Sequence, residues 1–236
     1  MAHAKLRHRL HRFLAPARIV KDYYSYWQAT RCGTFSQYGE DRLILAKYSR
    51  PGFYVDVGAS HPYRLSNTFL FYLSGWTGIT IEPIRVLARS HRRWRPRDVQ
   101  INAGVGTADA QATFYELFPH VLSTFDSKVA HRYVQEGQAV LVDEYDVPVK
   151  PLNDLLTNKA PARFDLLSID VEGRELDVLR SLDFGSFRPT RVILETLLAV
   201  GENPEHAELS GLMQANGYVL ERRVGANEIY LDGGAR

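Results

Sequence analysis

Apolar and polar positions follow a regular order along most of this chain, in which short apolar runs alternate with segments that carry apolar residues at helical spacing. Four of the runs end in glycine or in an acidic residue and predict buried parallel strands: residues 53–58, 79–82, 164–170 and 191–195. Strands that alternate with amphipathic helices are typical of a sheet covered by helices on both faces. The pattern therefore predicts an α/β fold with a largely parallel sheet.

Residues 107–160 interrupt this alternation. Two strands are predicted there, at residues 112–117 and 138–149, with a polar connection between them. We interpret the segment as a β-containing insertion that lies beside the functional site. Such an insertion is suited to selecting the substrate, because variable loops carry specificity. Near the C-terminus, Gly225-Ala226-Asn227 separates two further strand patterns and predicts a closing hairpin. The expected organisation is an α/β domain over residues 35–236, preceded by an extension at residues 1–34.

That extension is strongly basic. The first 31 residues hold seven lysines and arginines against one acid, Asp22. Leu6, Leu10, Phe13 and Leu14 recur at helical spacing, which predicts a basic amphipathic helix over residues 5–14. Two interpretations remain open: the helix binds a membrane surface or another anionic partner, or it packs on the domain and exposes its basic face.

Composition narrows the class of protein. The chain has 45% hydrophobic and 24% charged residues, as in ordinary globular domains, and no apolar run long enough for a membrane span or a secretory signal. One cysteine, Cys32, excludes an intrachain disulfide and favours the cytoplasm. A net charge of +2 argues against a nucleic-acid partner for the whole chain. However, residues 85–97 contain six arginines and Trp94, and they predict a helix that runs into an exposed basic loop. These residues form either a binding patch for phosphate groups or a solvated outer helix face.

Acidic residues close the four predicted strands: Asp56, Glu82, Asp170 and Glu195. If the strands are parallel, these carboxylates lie at one edge of the sheet, where ligands of open α/β sheets bind. Grouped carboxylates repel one another unless they bind something. Asp56 and Glu82 are spaced as in a strand–helix–strand unit, and an acid at the end of the second strand commonly binds a ribose diol. The sequence therefore predicts a nucleotide-type cofactor site, with residues 56–60 as its floor.

Six short motifs, in order, resemble the FkbM family of S-adenosylmethionine-dependent methyltransferases: residues 36–41 (SQYGED), 55–59 (VDVGA), 66–68 (SNT), 75–78 (GWTG), 81–83 (IEP) and 169–173 (IDVEG). The resemblance covers about residues 35–200. It implies a class I methyltransferase fold, a three-layer sandwich around a Rossmann-like seven-stranded sheet with one antiparallel strand. It also implies S-adenosyl-L-methionine as the cofactor and methylation of a hydroxyl oxygen on a sugar, a glycan or a natural product.

The resemblance further implies a set of cofactor contacts. Glu82 would bind the ribose, backbone groups near Gly58 and Ala59 the methionine end, and Asn102 and Ala103 the adenine edge. The whole predicted set comprises Asp56, Gly58, Ala59, Ser60, His61, Ser66, Asn67, Thr68, Glu82, Pro83, Asn102, Ala103 and Asp170. The loop after the first strand lacks the further glycine that is usual in this fold and contains His61-Pro62 instead, so the role of His61 stays open.

A hydroxyl acceptor needs a general base, because its oxygen is a poor nucleophile until the proton begins to leave. Asp170 and Glu172 are the favoured candidates, since they flank the turn that would face the cofactor, and Glu195 is the third. His61 and His131 are weaker candidates. The same carboxylates could instead hold a divalent cation that orients a diol, although no metal site is predicted.

Two other functions compete with this hypothesis. A nucleic-acid methyltransferase is favoured by the arginines of residues 85–97, but the chain has no Asn/Asp-Pro-Pro-aromatic run and Cys32 lies outside the predicted core. A non-catalytic protein could use residues 1–31 at a membrane surface and keep a vestigial cofactor pocket. A nicotinamide enzyme is not expected, since no G-x-G-x-x-G follows the first strand. The identity of the acceptor and the oligomeric state are left open.

Overall fold

A computed structural model describes residues 30–31, 33–198 and 201–235 of the chain. Within this part the strands are β1 (Phe53–Val57), β2 (Thr77–Ile81), β3 (Val99–Ile101), β4 (Gly104–Val105), β5 (Ala110–Phe118), β6 (Val140–Lys150), β7 (Arg163–Ile169), β8 (Arg188–Glu195), β9 (Leu197–Leu198), β10 (Gly201–Glu202), β11 (Tyr218–Val224) and β12 (Asn227–Asp232). The helices are α1 (Glu40–Leu45), α2 (Phe69–Leu73), α3 (Arg85–Trp94), α4 (Ser127–Gln135), α5 (Leu152–Leu156), α6 (Glu175–Arg180) and α7 (His206–Ala215), with a 3₁₀ turn at His120–Leu122.

A seven-stranded sheet forms the centre, in the order β11-β12-β8-β7-β1-β2-β3. The neighbours from β8 to β3 pair in parallel, and β12 runs antiparallel to both β8 and β11. The predicted fold class, a Rossmann-like and mostly parallel sheet with one antiparallel strand, is confirmed. The predicted closing hairpin is also confirmed, as β11 and β12.

Both faces of the sheet are buried. Successive side chains of a strand point to opposite faces, so a single strand contributes to the core on each side. Val55 and Val57 of β1 pack in a cluster with leucines of α5, α6 and α7. Tyr54, from the same strand, joins a second cluster with aromatic side chains of α2. Burying each large apolar side chain of this kind stabilises the fold by roughly 1.5–3 kcal/mol. The continuous apolar runs of the sequence therefore correspond to strands covered on two sides.

A separate three-stranded sheet, in the order β4-β6-β5, contains both strands of the segment in which the sequence pattern breaks. The long antiparallel pairing of β5 with β6 forms its body. Phe114 of β5 and Val147 of β6 pack against Ile84 and Leu87 at the start of α3. This contact fixes the hairpin beside the carboxyl end of β2, next to the edge where ligands bind in folds of this class.

The structure corrects one local prediction. Residues 85–97 do not run into an exposed basic loop throughout, because Arg95 is fully buried and pairs with Asp98. The predicted amphipathic helix at residues 5–14, and any membrane contact through residues 1–31, fall outside the described residues except for Thr30 and Arg31. No helix in the described ranges is long and apolar enough to cross a bilayer.

Candidate active site

A cavity of about 900 Å³ lies between the carboxyl edge of the main sheet and the segment that follows β5. The sheet contributes residues that directly follow its strands, including Gly58, Glu82 and Asp170. Residues 118–125 form the opposite wall. The volume is in the range of small-molecule and cofactor sites, and the location is the one expected for a ligand of an open α/β sheet.

Strand register explains which predicted acids reach this cavity. Val57 pairs with Ile81 and with Ile169, which in turn pairs with Leu194, so Glu82, Asp170 and Glu195 all come one position beyond the last pairs. Asp56 lies one position inside the sheet, level with Thr80 and Ser168. The expectation that all four carboxylates gather at the edge is therefore wrong for Asp56.

The Asp56 side chain belongs to a buried polar network under the cavity. It accepts a hydrogen bond from the Thr68 hydroxyl and lies 3.9 Å from Nη1 of Arg95. Arg95 also donates to Asp98 at 2.8 Å and to Thr68 at 2.7 Å. Burial raises the pKa of Asp56, and the charge of Arg95 opposes that rise. Asp56 thus anchors the residue that caps α2.

Glu82 occupies the position expected for a ribose-binding acid. The residue is buried but reaches the cavity, where Oε2 accepts from the backbone N–H of Ser60 and Oε1 from that of Ile84, both at 2.7 Å. Burial raises its pKa to about 7 against these two hydrogen bonds, which lower it. Each oxygen keeps a second lone pair, so the carboxylate can still accept hydrogen bonds from a diol. Ser60 has a φ of 44°, and its bond to Glu82 helps to hold this left-handed conformation.

The other predicted cofactor residues divide into two groups. Those that line the cavity, with Glu82 and Asp170, are Gly58, Ser60, His61, Asn67, Pro83 and Ala103. Those that do not are Asp56, Ala59, Ser66, Thr68 and Asn102. Members of the second group brace the loops instead. The Asn102 amide donates to the carbonyls of Glu82 at 2.8 Å and Pro83 at 2.9 Å, and Ser66 Oγ accepts from the N–H of Phe69 at 3.1 Å.

Asp170, Glu172 and Glu195, the predicted catalytic residues, meet in one cluster on the cavity wall. Each offers a carboxylate oxygen, and these oxygens lie within 4.8 Å of one another. All three side chains are half-buried and line the cavity. Asp170 and Glu195 follow paired positions of β7 and β8, whereas Glu172 lies in the next turn with a φ of 55°. A positive φ costs a residue with a side chain about 1 kcal/mol, so the turn holds Glu172 in a strained conformation.

Protonation of this cluster differs from that of ordinary acids. Burial raises the pKa of Glu172 to about 8, and the charges of Asp170 and Glu175 add to the effect. Burial also raises the pKa of Asp170 and of Glu195, and like charges nearby raise both further. One oxygen of Glu195, Oε2, is buried and accepts no hydrogen bond from any residue that the structure describes. Because carboxylates this close cannot all ionise without compensation, the cluster retains at least one proton near neutral pH unless a cation binds.

Glu175 shapes the turn that presents these acids. Its Oε1 accepts from the backbone N–H groups of Val171 and Gly173, both at 3.1 Å, and its Oε2 accepts from the Asn203 amide at 2.9 Å. These contacts use the carboxylate of Glu175 for structure, and it does not line the cavity. The three acids that do line it are hard oxygen ligands of the kind that Mg²⁺ and Ca²⁺ take, so the predicted alternative of a bound cation is compatible with the geometry.

The histidine candidates are less suited to act as a base. His61 lines the cavity, but its Nδ1 accepts from the backbone N–H of Arg64 at 3.3 Å, and its ring packs edge-on against Tyr63. Burial lowers the pKa of His61 to about 4. His131 is exposed on α4, where its Nδ1 donates to the Ser127 carbonyl, and it does not line the cavity.

Sequence reasoning missed a group of cavity residues contributed by the 36–41 motif and the closing hairpin. Glu40 is fully buried and accepts hydrogen bonds from the backbone N–H of Tyr38 and from the Asn227 amide. Gly225 has a φ of 56°, and a Cβ there would lie 2.3 Å from the Tyr38 ring. The 36–41 motif was available as a signal, but nothing in it showed that it contacts residues almost 190 positions away.

The sheet order and the acids at its carboxyl edge define a methyltransferase-type α/β fold with a cofactor cavity. A family model for the methyltransferase FkbM domain matches residues 56–220, well over half of the chain. The chain therefore belongs to the FkbM methyltransferase family, which confirms the predicted family and its cofactor, S-adenosylmethionine. The residues present fit that cofactor, because the cavity is large enough and Glu82 keeps acceptor capacity toward it.

Solved structures with similar folds have low sequence identity to the chain. Methyltransferase FkbM from Methylobacillus flagellatus is 15% identical with a TM-score of 0.49, over 77% of this chain and 43% of that protein. A TehB-like SAM-dependent methyltransferase from Corynebacterium glutamicum is 12% identical with a TM-score of 0.45, over 92% and 99% of the two chains. A Burkholderia thailandensis 1,6-didemethyltoxoflavin N1-methyltransferase is 12% identical with a TM-score of 0.42, over 94% and 88%. This chain thus spans less than half of the Methylobacillus protein, and no curated protein matches its sequence.

Proposed function

We propose that this protein transfers a methyl group from S-adenosylmethionine to a hydroxyl oxygen of a sugar, a glycan or a natural product. One observation carries the proposal: a buried acid suited to a ribose, Glu82, and a cluster of three acids suited to proton transfer line the same cavity. An oxygen acceptor needs a base of this type, since its proton must leave as the new bond forms.

We assign different residues of the cavity to different parts of the cofactor. Glu82 would hold the ribose hydroxyls, Gly58 and Ser60 the methionine end, and Ala103 the edge of the adenine. When bound, the cofactor supplies an electrophilic methyl group on a sulfonium. The contribution of the protein is then chiefly alignment, because an acceptor held in line at about 3–3.5 Å removes several kcal/mol from the barrier.

Asp170 and Glu172 are the proposed general bases. The pKa of Glu172, about 8, is close to physiological pH, where a base combines an available ionised form with a useful affinity for the proton. The acceptor hydroxyl would lose its proton to one of these carboxylates as the oxygen–methyl bond forms. Glu195, whose pKa is raised by burial and by the charge of Asp170, would hold a proton of its own and leave its neighbour ionised.

The position of the arginines favours a small acceptor over nucleic acid. None of the six arginines at residues 85–97, all of which the structure describes, lines the cavity, although Ile84 and Leu87 at the same helix do. An intact set of acids also argues against a vestigial pocket. A cytoplasmic location, a contact of residues 1–31 with a membrane, and the division into an extension and a domain remain proposals based on the sequence.

Calorimetry on protein stripped of bound cofactor tests whether the protein binds the proposed cofactor. S-adenosylhomocysteine should bind wild-type protein, bind Glu82→Gln at least tenfold more weakly, and bind Glu172→Gln with nearly unchanged affinity. Glu144→Gln, an exposed change on β6, is the matched control. The proposal fails if wild-type protein does not bind S-adenosylhomocysteine.

A second experiment tests whether the methyl group is transferred to an oxygen atom of the acceptor. Incubation with S-adenosylmethionine labelled with ¹³C in its methyl group, together with a panel of hydroxylated acceptors, should yield products whose ¹³C shift is that of an O-methyl group. Asp170→Asn and Glu172→Gln should each reduce turnover at least 100-fold, as expected for loss of general-base catalysis. If both variants keep full turnover, neither residue is the base.

A further inference from the structure

Four large apolar side chains that line the cavity are 45% to 59% exposed: Leu65, Phe118, Val121 and Leu197, hereafter the apolar rim. Leu65 is 58% exposed and Phe118 is 59% exposed. Single exposed apolar residues are common on protein surfaces, but several of them lining one ligand cavity indicate an interaction site. These four come from three separate segments of the chain, so the fold brings them together around one opening.

Leu65 is held in a costly conformation that brings the fold no burial. Its φ of 52° lies in the left-handed region, which costs an L residue about 1 kcal/mol and is usually left to glycine. A strained backbone that carries a solvent-exposed leucine suggests a role in binding. This observation is independent of the exposure of the other rim residues.

The apolar surface continues beyond the cavity along the β5–β6 hairpin. Val140 is the register partner of Phe118, and directly opposed residues in antiparallel strands share a face. Val140 is 66% exposed. A ligand that leaves the cavity past Phe118 would therefore stay in contact with apolar side chains for a further strand width, about 5 Å.

Two hydroxyl groups in the same wall, those of Ser123 and Thr124, already form hydrogen bonds within their own loop. Ser123 Oγ accepts from the backbone N–H of Leu117 at 3.0 Å, and Thr124 Oγ1 accepts from that of Asp126 at 3.1 Å. A free saccharide would need several convergent hydrogen-bonding groups at this opening. Three of the polar acceptors that line the cavity are instead grouped at the carboxylate cluster.

We infer that the acceptor is an amphipathic alcohol, whose hydroxyl-bearing end reaches Asp170 and Glu172 and whose apolar body leaves the cavity across the apolar rim. The inference rests on the proposed function and narrows it, because it selects a sugar with an apolar substituent, or an apolar natural product, over a free polar saccharide. An apolar body covered on one side gains about twofold in affinity for each methylene, roughly half the free energy of full burial.

Binding of chain-length series tests this inference without turnover. Alkyl glucosides from methyl to octyl, and 1-alkanols from butanol to octanol, are titrated below their micellar or solubility limits into protein with and without S-adenosylhomocysteine. Wild-type affinity should rise about twofold per methylene, or roughly 100-fold from methyl to octyl glucoside. Phe118→Ser should weaken octyl glucoside about tenfold and leave the affinity for S-adenosylhomocysteine unchanged. Val219→Ser, on a valine of β11 that is 54% exposed and does not line the cavity, should match wild type.

The remaining outcomes refute either the inference or the proposed function, and they can be told apart. If neither series shows a dependence on chain length, the acceptor is not amphipathic and the inference is wrong. If Phe118→Ser keeps the wild-type dependence, the apolar body does not cross this rim, and the inference is also wrong. If wild-type protein does not bind S-adenosylhomocysteine, the proposed function is refuted. The titrations without S-adenosylhomocysteine would still decide whether the apolar rim binds apolar chains.

Discussion

Replacing Glu172 by glutamine should make the folded protein more stable while it removes a proposed base. The carboxylate is half-buried, lies beside Asp170 and Glu175, and belongs to a residue with a φ of 55°. In the unfolded chain its pKa has the ordinary value of 4.5, whereas in the folded protein burial and like charges raise the pKa to about 8. Ionisation of Glu172 therefore opposes folding.

The sign and size of this effect follow from proton linkage. Below pH 4.5 the group is protonated in both states and contributes nothing to the pH dependence. Between pH 4.5 and 8 only the folded state keeps the proton, so wild-type stability falls by up to about 1.4 kcal/mol for each pH unit. Partial solvent screening of a half-buried group reduces this, and at pH 7 we expect a cost of about 2–3 kcal/mol. Glutamine cannot ionise and avoids the cost.

Urea unfolding of metal-free protein at pH 5, 6, 7 and 8 measures the difference directly. Glu172→Gln and wild type should agree within about 1 kcal/mol at pH 5, and the variant should be more stable by about 2–3 kcal/mol at pH 7. Glu144→Gln, on an exposed acid, should differ little from wild type at every pH. A difference between Glu172→Gln and wild type that does not change with pH, or a variant less stable at pH 8, would refute the reasoning.

Three further predictions concern other parts of the molecule. The affinity for S-adenosylhomocysteine should fall up to tenfold per unit as the pH drops below about 7, because protonation of Glu82 removes its acceptor capacity toward the ribose; titration calorimetry should show no such dependence in Glu82→Gln. Gly225→Ala should destabilise the fold by at least 1–2 kcal/mol in urea, since a Cβ there meets an aromatic ring at 2.3 Å, whereas Gly211→Ala in open space on α7 should stabilise it by up to about 1 kcal/mol. Arg95→Met should cost about 3–5 kcal/mol, because it leaves buried carboxylates unpaired, and Arg93→Met on the exposed face should stay within about 0.5 kcal/mol in the same measurement.

The central sheet could be predicted because its signal is local. Strands buried on two faces read as continuous apolar runs, and each run here is closed by glycine or by an acid that ends the strand. The burial of Arg95 could not be read in this way. That burial depends on Asp98, which is close in sequence, and on Asp56, which lies far away on β1. The sequence around Arg95 contains five other arginines, and all five remain on the surface.

The two sides of the cavity differ in predictability for a physical reason. Parallel pairing places residues that follow neighbouring strands side by side, so knowing where β7 and β8 end is sufficient to bring Asp170 and Glu195 together. The apolar rim has no such rule, because it depends on how the β5–β6 hairpin docks on α3 and on the left-handed conformation of Leu65. Side chains proposed to bind the cofactor are therefore fixed by the topology of the sheet. Those proposed to bind the acceptor lie on loops and a hairpin that can change without altering that topology, which is how one fold can serve many acceptors.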